Sequence, residues 1–150
     1  MMDIFVQLLS AALGSVGFAL IFRLRSRLLP LAALGGLLNW GVYLLLYHLT
    51  AQLFLSALLA SAAAAVYAEI LARRLRAPTT LFFVPAVIPS IPGSNLYYTM
   101  RGAVAGDIAA VTENALLTIK WAVAIAGGIS IVTVAFSVYR GIRQKHAKGK

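Results

Sequence analysis

Between residues 85 and 98 the chain sets three prolines (Pro85, Pro89 and Pro92) and Gly93 into apolar sequence, then follows them with Ser94, Asn95, Tyr97 and Tyr98. Each proline removes a backbone donor and crowds the turn before it, so a regular helix through this stretch loses hydrogen bonds. A helix that restarts after Pro92 and Gly93 presents unpaired N–H groups at Ser94, Asn95 and Leu96, and such an end attracts a carboxylate. Ser90, Ser94, Asn95, Tyr97, Tyr98 and Thr99 surround it with hydroxyls and amides. The chemistry on offer is reversible capture of a small ligand. One proline in a helix more often only kinks it; three with a glycine in so short a stretch favour a functional break.

Arg101 and Lys120 are the two cations that stand apart from the basic clusters described below. A charge inside a bilayer costs ~3 kcal/mol or more on insertion scales and needs a partner, water or a route to the interface. Arg101 suits a bidentate carboxylate clamp or interfacial anchoring near Asp107 and Glu113. Lys120 beside Trp121 suits a snorkelling lysine or a cavity wall. Glu69 precedes Arg73 by four residues, the spacing of a local helical ion pair, with a proton-coupling carboxylate as the sharper alternative. Asn39 and Trp40 either join helices or line a cavity. His48 and His146 are far apart without companion ligands, so no metal site and no cofactor is expected. No nucleophile with a base and acid, no HExxH and no phosphate loop is present, so the chain reads as a non-enzyme.

The elements that hold these residues are membrane helices. Of the 150 residues, 61% are hydrophobic and only 11% charged, more apolar surface than a soluble domain of this size buries. The net charge of +9 would suggest nucleic acid in a soluble protein. Here the cations fall in three clusters instead: Arg23, Arg25 and Arg27; Arg73, Arg74 and Arg76; and Arg140, Arg143, Lys145, Lys148 and Lys150. No stacking aromatics interleave them, which argues against nucleic acid. They read as cytoplasmic ends of spans. The absence of cysteine excludes disulfides. Asp3 stands where a signal peptide would carry positive charge, so the first apolar run reads as an uncleaved span with its N-terminus outside.

In order, spans are expected at residues 4–22, 28–48 (with Pro30 in its first turn) and 52–72. The third carries Ser56, Ala60, Ala64 and Ala68 at four-residue spacing, widened by Ala57, Ser61 and Ala65, a small-residue stripe for close helix contact. The apolar run 79–92 is short for a crossing, so the polar and aromatic segment 94–106 is expected to complete a discontinuous fourth span. Residues 115–139 form the fifth. The expected fold is therefore all-α: a polytopic membrane protein with five transmembrane spans, the fourth broken at the Pro/Gly stretch, N-terminus out and C-terminus in. Residues 1–139 make one membrane domain and 140–150 a basic cytoplasmic tail.

The run Val87, Ile88, Pro89, Ser90, Ile91, Pro92, Gly93, followed by Tyr97 and an Ala-rich helix, resembles the small, YjjB-like subunit of the threonine/serine exporter family, and the likeness covers essentially the whole chain. The resemblance implies one half of a two-part secondary exporter in the inner (plasma) membrane. The other half is a larger YjjP-like membrane subunit, and the substrates are small amino acids such as threonine and serine or related small carboxylates. Pro89, Pro92, Gly93 and Tyr97 are the motif positions it carries over. An odd number of spans places two such halves in opposite orientations, as inverted repeats around a central site require. The substrate-binding residues expected are Pro89, Ser90, Pro92, Gly93, Ser94, Asn95, Tyr97, Tyr98, Arg101 and Lys120. A homo-oligomeric pore and a non-transporting membrane scaffold or regulatory protein are the alternatives, and a higher oligomer is left open.

Overall fold

The structure is a computed structural model that describes residues 3–148, with side chains described through Ile142. It is all-helical: α1 (Ile4–Ile21), a 3-10 turn (Ser26–Leu28), α2 (Leu29–Thr50), α3 (Leu53–Leu75), α4 (Thr80–Val87), a second 3-10 turn (Ile88–Ser90), α5 (Gly93–Ala105) and α6 (Ile108–Lys148). Among the described residues, four segments are long and apolar enough to cross a membrane: Ile4–Ile21, Ser26–Thr50, Leu53–Leu75 and Ile108–Ile142. Of the basic tail, the side chains of Arg143, Lys145, Lys148 and Lys150 lie outside the described residues.

Helix ends follow local chemistry. Arg23, just past α1, takes the left-handed conformation, and its N–H and that of Leu24 return to the carbonyls of Leu20 and Ala19, both at 2.9 Å. This wrapping satisfies carbonyls left over at a helix C-terminus. Gly106 closes α5 in the same way at φ +72°, a conformation that favours glycine. Asp107 then caps α6: its Oδ1 accepts from the Ala110 N–H at 3.0 Å. That cap moves the start of the last helix upstream of the expected 115, to Ile108, and puts Glu113 inside the helix.

α3 is the hub, packed against α2, α4 and α6. Its expected stripe is the packing surface, with Ser56, Ala57, Ala60, Ser61, Ala64, Ala65 and Ala68 all buried. Where α6 crosses it, Gly128 lies so close that an added Cβ would overlap Ser61 Oγ and the Leu58 carbonyl oxygen. Below and above this contact, Trp121 shares a buried cluster with Ala57 and Ala60, and Arg140 reaches Glu69. The two helices therefore run parallel, so the chain between them must return the full length of α3.

Most of that return is made by α4 and the 3-10 turn. α4 starts beside Glu69, packs its Ala86 on Ala64, and by Ser94 and Asn95 the chain shares a cavity with Leu53, the first residue of α3. α5 then packs mainly against α6. The sequence had α5 completing the crossing; instead its later turns, with the first turns of α6, form a hairpin that runs on past the start of α3. Since Trp121 sits level with Ala57, the part of α6 before it extends roughly 15 Å further at 1.5 Å per residue. The basic residues collect at the opposite end, where Arg23, Arg25, Arg27 and Arg76 border one cavity of about 520 Å³.

Candidate functional site

The break is built by three prolines in three different roles. Pro85 is buried inside α4, Pro89 is the second residue of the 3-10 turn, and Pro92 is the N-cap just before α5. Without an N–H, Pro89 cannot bond the carbonyl of Pro85, and the helix tightens into a turn closed by Ile91 N–H to Ile88 O at 3.1 Å. The chain then swings out at Ile91, and Gly93 N–H donates to the Ile91 carbonyl at 2.7 Å. α5 starts without a side-chain cap. The amides of Ser94 and Asn95 have no hydrogen-bond partner in the structure.

Asn39, at the middle of α2 and fully buried, holds the break in place. Its Nδ2 donates to the Ala86 carbonyl at 2.9 Å and to Ser90 Oγ at 2.7 Å. Ala86 sits where the helix stops bonding regularly, so the amide replaces a donor that the turn withdrew. Asn39 Oδ1 and Ser15 Oγ are buried without a partner. Ser15 packs into the notch left by Gly36, three residues before Asn39 on α2. The sequence left Asn39 open between joining helices and lining a cavity; it joins α2 to the break. A lone amide in an otherwise apolar helix was the signal.

Two cavities of about 300 Å³ flank the break. One is lined by Pro89, Ser90, Ile91, Pro92, Ser94 and Asn95 together with Trp40, Leu53, Leu117 and Trp121. The other lies on the α1 side, between Gln7, Ser10, Ala11, Gly14, Trp40, Ile88 and Pro89. Trp40, whose indole N–H donates to Gln7 Oε1 at 3.2 Å, stands between them with Pro89. Of the residues expected to bind a ligand, Pro89, Ser90, Pro92, Ser94 and Asn95 line the first cavity, and Gly93 lies between them in the chain. Tyr97 and Tyr98, edge to face at 5.4 Å, are exposed further along α5, as is Arg101. Lys120 is exposed on α6 beside the buried Trp121. These four stand outside that cavity's lining.

A second polar cluster lies at the basic end. Glu69 Oε1 accepts from Arg73 Nη2 at 3.2 Å, the expected local pair, and also from Arg140 Nη2 of α6 at 3.0 Å. Its Oε2 accepts from Thr79 Oγ1 at 2.8 Å, and Arg73 lies over the Phe136 ring at 4.6 Å. The Arg140 partnership was not legible in sequence, since it joins residues on two helices far apart in the chain.

Apolar helices of spanning length, close-packed through small residues, around a proline-broken segment and buried polar groups, make this a multi-pass membrane protein. A family model, "Threonine/Serine exporter, ThrE", matches residues 7–135. The chain belongs to the threonine/serine exporter family, a family of transporters and not of enzymes. No solved structure matches it.

Proposed function

We propose that the chain is the small subunit of a secondary exporter of small amino acids of the threonine and serine type, or related small carboxylates, working with a larger YjjP-like subunit in the inner (plasma) membrane. In this reading α4, the 3-10 turn and the start of α5 are a broken fourth span among five. The N-terminus is out and the end bearing the arginines is in, as the positive-inside rule asks. Residues 1–139 act as one membrane domain, and 140–150 as its cytoplasmic tail. The observation that carries the reading is the pair of unpartnered amides, Ser94 and Asn95, at the start of α5 on the edge of a cavity. Helix starts of this kind hold anionic substrate groups in transporters with interrupted helices. Pro89, Pro92 and Gly93 keep that end open, and Asn39 holds Ser90 against it. Tyr97, Tyr98, Arg101 and Lys120 are assigned to the outward side of the path, where the partner subunit completes the site.

Replacing Pro89 and Pro92 by alanine restores two backbone donors and lets α4 run on towards α5. L-Threonine efflux from proteoliposomes holding both subunits is expected to fall at least tenfold, with membrane insertion unchanged. Efflux at the wild-type rate removes the break from the mechanism. Counterflow that needs both subunits marks a carrier, whereas passive flux through this chain alone marks a pore.

A further inference from the structure

The cavity beside Glu69, about 300 Å³, lies at the end of α4 opposite the break. Its wall holds one carboxylate, Glu69, one guanidinium, Arg140, and the hydroxyls of Thr79, Thr80 and Thr133 over an apolar floor. The volume is at the small end of ligand cavities, which start near ~300 Å³. Glu69 is buried, while Arg140 is largely exposed and stands at the mouth. A carboxylate has about four acceptor positions, and Glu69 fills three, with Arg73, Arg140 and Thr79. Arg140 spends Nη2 on Glu69 and Nε on the Phe136 carbonyl at 3.4 Å, so its Nη1 hydrogens remain for an incoming acceptor.

We propose that this cavity binds a small zwitterionic α-amino acid on the cytoplasmic side, its ammonium on Glu69 and its carboxylate on Arg140. The assignment rests on the reading of the chain as an exporter subunit with its basic end inside. A ligand with a cation and an anion on one carbon matches a wall with one group of each sign; a plain carboxylate leaves Glu69 unused, and a plain amine leaves Arg140 unused. The ligand's ammonium takes the fourth acceptor position of Glu69 and its carboxylate takes Nη1 of Arg140, so each charge added meets its opposite. α4 spans the distance from this site to the cavity at the break.

The chain has no cysteine, so Thr133→Cys gives a single reporter inside the cavity, with Thr80→Cys as a second should the first fail to insert. Inside-out vesicles of the native host, carrying the full-length reporter chain in place of the wild type, are treated with a maleimide. L-Threonine is expected to slow labelling at least fivefold, and propionate or ethylamine at the same concentration to slow it less than twofold. Glu69→Gln or Arg140→Gln abolishes the protection, and Arg140→Lys retains part of it. Labelling unaffected by saturating L-threonine, protection that survives both glutamine variants, or protection by propionate equal to that by L-threonine overturns the proposal. L-Threonine uptake by the same vesicles separates the two readings: uptake without protection refutes this site alone, and absence of uptake refutes the exporter.

Discussion

Asn39→Leu tests whether one amide keeps the break in shape. Leucine keeps asparagine's branching, with bulkier methyl groups, and removes both bonds, to the Ala86 carbonyl and to Ser90 Oγ. Side-chain hydrogen bonds between membrane helices average ~0.6 kcal/mol each, which sets a floor of about 1 kcal/mol. The Ala86 carbonyl is then left buried and unpaired, a cost of about 1–3 kcal/mol. Against this, Asn39 Oδ1 is already buried without a partner, and leucine removes that penalty. The balance is a loss of about 1–2 kcal/mol. Equilibrium unfolding of the purified chain in mixed detergent micelles measures it. Ser90→Ala removes one of the two bonds and is expected to cost roughly half as much; in the Asn39→Leu background it costs little, because its partner has gone. An Asn39→Leu chain as stable as wild type, or a Ser90→Ala cost that is the same in both backgrounds, refutes the account.

Further outcomes concern packing, a turn and the face towards the larger subunit. Gly128→Ala drives a Cβ into Ser61 and the backbone of Leu58, so α6 must move off α3; a cost of about 1–3 kcal/mol is expected in the same unfolding assay. Gly127→Ala is its control, because a Cβ there meets only Leu58 Cδ1 at 3.7 Å, and it should be neutral or slightly stabilising. Gly106→Ala has space but holds φ +72°; the left-handed cost of ~1–2 kcal/mol, less the entropy alanine saves in the unfolded chain, leaves about 0.5–1 kcal/mol of destabilisation. A cysteine at Asn95, which is partly exposed at the cavity edge, should form a crosslink to the larger subunit if the broken span faces it, and reaction with lipid-phase reagents alone would count against that arrangement.

The helices and their contact surfaces were largely legible in the chain. Apolar runs of spanning length and the four-residue spacing of Ser56, Ala60, Ala64 and Ala68 are local or periodic signals, and the structure has four helices of that length and a buried stripe on α3; of the arginine clusters, Arg23, Arg25, Arg27 and Arg76 border one cavity. The break was also legible, because proline acts on its own backbone whatever surrounds it. Less visible was the extent of α5 and α6. The sequence started the fifth span at 115, but the Asp107 cap and the packing of Gly102 against Val111 carry helix through residues 112–114.

The amino-acid sequence by itself determined that the chain is helical, that it suits a membrane, and that regular helix fails within the proline-rich stretch 85–98. Those properties arise from hydropathy and from proline's missing donor, which act within a few residues. Only the tertiary structure decided which polar groups meet: that Asn39 of α2 supplies the donors at the break, that Arg140 of α6 and Thr79 both meet Glu69, and that Tyr97, Tyr98 and Arg101 lie along α5 beyond the cavity. These pairings depend on the register between helices distant in sequence. That register is set by where small residues such as Gly36 and Gly128 let two backbones approach, a fit between surfaces that neither segment carries alone.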